Sequence, residues 1–207
     1  MRQFTRITTV IWLLSICFLV GLAQDKAPVK ESKVKLTKIK TVYDKAKDET
    51  LMVLMPMMVS VIPGTIDASF PAEGATMRLP SAELRMTAYF SFPGKTLITP
   101  KQIVLGFQSL TQDKTKFAQE RELTVTADGS QLNFGEMTIT DRRIDSGIQL
   151  RDTTFYRETL ELPVAYEDFL RITKAAKVSV RLGKTNFDLQ SGQLQSLRAL
   201  AEKAQGG

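Results

Sequence analysis

The stretch PVAYEDFLRITKAAKVSVRLGKTNFDLQSGQLQSLRALAEKA, residues 163–204, decides the fold. Its hydrophobic period changes twice. Pro163 has no N–H to give a ladder, so it is expected to end an apolar strand over Thr159–Leu162. Tyr166, Phe169, Ile172 and Ala176 then share one helix face. Glu167 and Asp168 open that helix and Lys174 and Lys177 close it, the charge order that suits the helix dipole. From Val178 the period is two: Val178, Val180 and Leu182 alternate with Ser179 and Arg181. Gly183-Lys184 reads as a two-residue turn, because glycine accepts a positive φ at its first position. Phe187 and Leu189 return, and Ser191 is the expected N-cap of a last helix. Leu194, Leu197, Ala201 and Ala204 line one side of it, with Leu200 beside them. Burying three leucines contributes roughly 5–9 kcal/mol before entropy is counted, so this helix is expected to lie as a lid on a sheet.

Two segments of that stretch carry a resemblance: Ala176-Lys177-Val178-Ser179-Val180-Arg181-Leu182-Gly183, then Phe187-Asp188-Leu189. Short helix, strand, strand and leucine-rich closing helix together resemble the C-terminal part of uncharacterised β-rich families of exported bacterial proteins. The resemblance covers about 40 residues of the 207. It implies an exported, mostly β domain and brings no activity with it.

Upstream the alternation continues. Leu84, Met86, Ala88, Phe90 and Phe92 alternate with Arg85, Thr87, Tyr89 and Ser91, the cleanest strand in the chain. Ile103, Leu105 and Phe107 form the next. Leu123, Val125 and Ala127 run into Asp128-Gly129, a hairpin signal, and Leu132 and Phe134 return, with a bulge expected at Gly135. Asp145-Ser146-Gly147 is a further turn. Leu51–Ile62 is almost wholly apolar, which predicts a central strand buried on both faces, with Pro56 demanding a bulge or an edge. Pro63–Pro80 is aperiodic and reads as a long loop. Roughly nine strands follow from this spacing. The expected fold is mostly β: an antiparallel β-sandwich with two C-terminal α-helices, one domain over 33–204 closed by helix, hairpin and helix.

Residues 1–23 are a separate object. Arg2 and Arg6 precede an apolar run, Ile7–Val20, and Gly21-Leu22-Ala23 supplies small residues for cleavage after Ala23. The alternative is a membrane anchor over residues 7–23, although the apolar run is short of the ~20 residues a span needs. Leu14-Ser15-Ile16-Cys17 is similar to a lipidation site, but Ile16 is bulky where a small residue is required. Cleavage leads to a flexible leader over 24–32 and an exported chain, periplasmic or extracellular. It also removes the one Cys of a chain that has no His. Thiolate nucleophiles, disulfides, imidazole ligands and Ser-His-Asp triads are thereby excluded from the mature protein. Losing Arg2 and Arg6 takes the net charge from +6 to +4.

Few residues then qualify as sites. Met52, Met55, Met57 and Met58 have a spacing that could suit Cu(I), but bulky apolar neighbours and the lack of His or Cys make them core filler or an apolar docking surface. Arg142 and Arg143, with Arg151 and Arg157, could grip carboxylate or phosphate, although Asp141, Asp145 and Asp152 offer them ion pairs. Asp44, Asp48 and Glu49 form a second acidic group, matching no calcium loop. The lysines of 26–47 read as the solubilising charge of an edge strand. No cofactor is expected, and mixed charge gives nucleic acid no footing. The function expected is a non-enzymatic envelope module that docks a protein, a polymer or a lipid-like ligand, meeting the membrane only through its signal segment. A hydrolase of an envelope polymer working with carboxylates alone is the alternative.

Overall fold

Strand β2 (Glu49–Ile62) pairs with β1 (Ile39–Asp44) on one side and β5 (Ala82–Pro93) on the other. The computed structural model describes residues 36–206 apart from 63–65, 71–74, 80, 113 and 145–153, and of 66–70 and 75–79 it describes the backbone. The expected signal and leader segments, and Asp145, Arg151 and Asp152, therefore lie outside the described residues. From β5 the larger sheet continues through β6 (Gln102–Gln112) and β10 (Phe155–Ala165) to β9 (Thr138–Ile144), in the order β1-β2-β5-β6-β10-β9. The smaller sheet has the order β12-β11-β7-β8, from β7 (Glu122–Ala127), β8 (Ser130–Glu136), β11 (Val178–Leu182) and β12 (Thr185–Asp188). All pairings within both sheets are antiparallel. Helices α1 (Tyr166–Lys174) and α2 (Ser191–Ala204) flank the β11–β12 hairpin in sequence. The chain is mostly β, with two antiparallel sheets and two helices near its C-terminus, as the periodicity predicts.

One core joins these layers. Leu54, Ala88, Ile103 and Leu160 of the larger sheet are fully enclosed, as are Val178 and Leu182 of the smaller and Phe169, Leu197 and Leu200 of the helices. Phe107 and Phe187 meet edge to face between the sheets, ring centroids 6.2 Å apart, a favoured aromatic geometry. Helix α2 packs on α1 and β2. The Arg198 guanidinium donates to the Thr173 and Ala175 carbonyls at 2.6 and 2.8 Å, placing a cation where the ending helix α1 leaves carbonyls unpaired.

The structure departs from several sequence expectations. Residues 66–79 are not a plain loop: β3 (Ile66–Phe70) and β4 (Ala75–Leu79) pair as a two-stranded ribbon between β2 and β5. With it, the described residues hold twelve strands rather than nine. Leu51–Ile62 is buried on one face only, since Leu51, Met58, Val61 and Ile62 are exposed. Pro163 does not end its strand. β10 runs on to Ala165 against β6, but its pairing with β9 stops at Glu161, so the missing N–H faces no neighbour. Pro56 is accommodated differently: the Met55 N–H before it still donates to the Lys38 carbonyl at 2.9 Å, and Pro56 falls within a register shift of the β2–β5 ladder between Leu54 and Met57, the bulge expected there. The cap of α2 is Gln190 and not Ser191, with the Gln193 side chain accepting from the Gln190 N–H at 2.7 Å. Helix α1 ends at Lys174, which leaves Ala176 exposed and Ala175 buried.

The two hairpin turns are as predicted. Asp128 and Gly129 have φ +46° and +83° between the paired Ala127 and Ser130. Gly183 has φ +54° between Leu182 and Thr185. The register shift opposite Leu123 and Thr124 leaves Phe134 as the extra residue of the bulge expected at Gly135. Gly183 has a second constraint, because a Cβ there would run into the Glu120 carbonyl. Gly183→Ala is therefore expected to cost at least about 2 kcal/mol, the left-handed backbone adding to the clash. Gly129→Ala, with nothing within 4 Å of its Cβ position, should cost less. Denaturant unfolding of the two variants checks the order.

Asp128 also ties the turn to the α1–β11 connection, its carboxylate accepting from the Lys177 N–H at 2.8 Å and the Ala176 N–H at 3.0 Å. Those two amides hold its pKa below the usual carboxylate range. A lowered folded pKa stabilises above the unfolded value of about 3.9, and the contribution fades as pH falls through the folded value. Asp128→Asn, which tolerates the same backbone, should be less stable than wild type at neutral pH, and the gap should close below about pH 4. A gap that stays constant with pH refutes this.

Candidate functional site

One charged side chain is fully buried among the described residues, and it is Glu158 of β10. Its Oε2 accepts from the Lys116 and Phe117 N–H groups at 2.7 and 2.9 Å. Its Oε1 accepts from Arg142 Nε and Nη2, both at 3.1 Å. Both oxygens are thus occupied, and the carboxylate is spent on structure. It fastens the connection from β6 to β7, where the chain leaves the larger sheet for the smaller. Phe117, 1% exposed, plugs that connection into the core.

Glu158 is not among the acids that the sequence pattern singles out. Its phase was the available signal: it shares the inward parity of Leu160, so an acid there requires buried donors. Arg142, an expected ligand residue, is instead its partner. Arg143 is exposed and pairs with Asp141 at 3.4 Å. Asp44 and Asp48 are turn acids: Asp44 accepts from the Ala46 N–H at 2.9 Å, and Asp48 from the Tyr43 hydroxyl at 2.7 Å. The four methionines are divided by strand alternation. Met52 and Met57 are core, Met55 is half-buried and Met58 is exposed. The Met58 carbonyl accepts from Gln193 of α2.

The structure brings together a different set. The outward face of the smaller sheet is polar, because strand register sets Arg181 beside Asn186 and Thr124, and Ser179 beside Asp188 and Thr126. Those side chains line an open recess of about 550 Å³. Hydrogen bonds stiffen it: Ser179 donates to Asp188 at 2.5 Å, and Arg181 donates to Thr124 at 3.3 Å. Arg181 also borders a second recess of about 400 Å³, with Glu122, Glu136 and Gly183. Gln119 and Glu120 border that one and a third, of about 320 Å³, under the Thr115–Glu120 segment. Shared walls thus link the three in sequence around the Gly183 turn. Sequence periodicity had put Ser179, Arg181, Asn186 and Asp188 in solvent phase, but only the pairing of β11 with β7 shows what lies beside them.

On the outward face of the larger sheet stands Tyr89. Burial, reinforced by Glu161, pushes its pKa up to about 12, so it stays a protonated donor across the ordinary pH range. Among the described residues no helix is long and apolar enough to cross a membrane, and no group of three or more acidic side chains gathers as a metal site. Comparison with family models, with curated proteins and with solved structures finds no match, so the geometry stands on its own.

Glu158→Ala should lower unfolding stability by about 3–5 kcal/mol, because two amides and a guanidinium lose their acceptor in the interior. Arg142→Ala should cost less, since it leaves the carboxylate its two amides. Equal costs would mean that the amide contacts contribute nothing.

Proposed function

We propose that this chain is an exported, non-catalytic binding module of the cell envelope that holds an extended, hydroxyl-rich polymer along its smaller sheet. The observation that carries the reading is the run of three open recesses, about 550, 400 and 320 Å³, joined by Arg181 and then by Gln119 and Glu120. A compact metabolite needs one enclosed pocket, while linked open recesses suit a chain. The first recess offers hydroxyls, amides, one guanidinium and one carboxylate, a mixed set of donors and acceptors for neutral polar groups. Export is supported by Arg2 and Arg6, the apolar run Ile7–Val20 and the small residues before Gln24. The fully buried acid is saturated by its partners, which favours holding over hydrolysis.

The test is sedimentation of the mature chain, from Gln24, with insoluble envelope polysaccharide. Retention is expected, and Arg181→Ala combined with Asn186→Ala should weaken it about tenfold or more, the effect of losing charged and neutral hydrogen bonds. Both side chains are exposed, so the unfolding midpoint should hold. Retention unchanged in the double variant, or no retention of the parent, overturns the proposal.

A further inference from the structure

The third recess contains two groups whose needs the protein does not meet. The first is the Lys116 ammonium. Its backbone is pinned on both sides, since its own N–H and that of Phe117 end on Glu158. Its side chain is half-buried, with Nζ 5.8 Å from the centroid of the Phe117 ring. Among the described residues no carboxylate pairs with it. The acid that lines the recess, Glu120, is taken by Lys184 at 2.7 Å. Burial alone lowers the Lys116 pKa, as it does for a cation drawn out of water without a counter-charge. The second group is the Thr185 hydroxyl, buried and without a hydrogen-bond partner among the described residues. A buried hydroxyl left unpaired costs free energy that any acceptor would recover. With Lys116 and Lys184 against Glu120, the charged lining is positive by one.

We propose that this recess is an oxyanion site, taking a carboxylate or a phosphate group on Lys116 and Thr185. An oxyanion supplies what both groups lack, a negative charge for the ammonium and an acceptor for the hydroxyl. A neutral sugar hydroxyl would answer Thr185 alone, and a cation would be repelled. Lysine binds such groups as a point charge and needs no bidentate geometry. The loop that carries Lys116 is held by Glu158 whether or not a ligand is present, so the site is preorganised. It stands on its own residues and does not depend on a polymer occupying the other two recesses.

The experiment is an amide NMR titration of the mature chain, at constant ionic strength, with inorganic phosphate in one arm and acetate in the other. Saturable shifts are expected at residues 115–120 and 184–185 in at least one arm, and which arm responds tells phosphate from carboxylate. Lys116→Gln should weaken the response about tenfold, the loss of a charge-assisted contact. Thr185→Val should weaken it several-fold while keeping or raising the unfolding midpoint, because it removes an unpaired polar group. Arg181→Ala, outside this recess, should leave it intact. Absence of saturable shifts in both arms overturns the site, and so does an equal response in Lys116→Gln. A Thr185→Val titration identical to wild type removes the hydroxyl from it.

Discussion

The third recess depends on a carboxylate placed where a carboxylate is expensive. Glu158 lies in the inward phase of β10, and an ionised acid there is tolerable only if its oxygens are filled. They are filled by two amides of the crossing between the sheets and by a guanidinium from the neighbouring strand. A hydrophobic side chain could fill the same volume, but it could not hold backbone amides. The acid therefore holds the crossing at Lys116 and Phe117 as well as packing the interior. That crossing forms a wall of the third recess and carries Lys116.

A second constraint governs the strands. A strand residue without an N–H is acceptable wherever a neighbour has run out. The last contact on the β1 side is the Met55 N–H on the Lys38 carbonyl, just before Pro56, which falls in a register shift against β5, and β9 stops pairing with β10 at Glu161, just before Pro163. In both places the remaining ladder continues past the proline. The prolines thus mark where the larger sheet narrows, and strands β2 and β10 need not stop there. Beyond Pro163 the chain enters α1, and beyond Pro56 the Met58 carbonyl finds Gln193 of α2.

This explains which parts of the fold were legible in the sequence. Alternation at 84–92, the Asp128-Gly129 and Gly183-Lys184 turns and the helix face at Tyr166, Phe169 and Ile172 are all local signals, and local geometry obeys them. The β3–β4 ribbon did leave a signal, since Ile66, Ala68 and Phe70 alternate with Asp67 and Ser69, and Ala75, Met77 and Leu79 with Thr76 and Arg78, but each run is only five residues long and the prolines and glycines around them read as loop. The apolar run at 51–62 misled because composition cannot tell a strand buried on both faces from one whose outer face carries Leu51 and Met58. The site was the least legible part. Its residues come from three strands and a crossing that only the tertiary order places side by side, and none of them is chemically distinctive. Glu158 was the exception: an acid in the phase of Leu160 was a readable warning of buried donors.

The division of labour in the smaller sheet follows from the same alternation. Val178, Val180 and Leu182 turn inward and close the core, while Ser179 and Arg181 turn outward onto the polar face. Substitutions on the outer face can change the proposed binding surface with little effect on folding, since no core contact passes through them. The β11–β12 turn is where this separation fails. Gly183 lies against the Glu120 carbonyl, Lys184 pairs with Glu120, and the Thr185 hydroxyl is left without a partner behind them. Folding and the proposed oxyanion site share the same few atoms there. A protein under selection for stability alone would remove the unpaired hydroxyl, since valine fits a strand as well. Among the described residues the Ser109 hydroxyl is also buried without a partner, but only that of Thr185 lies in a recess shared with a half-buried lysine that no carboxylate pairs, an arrangement packing does not account for.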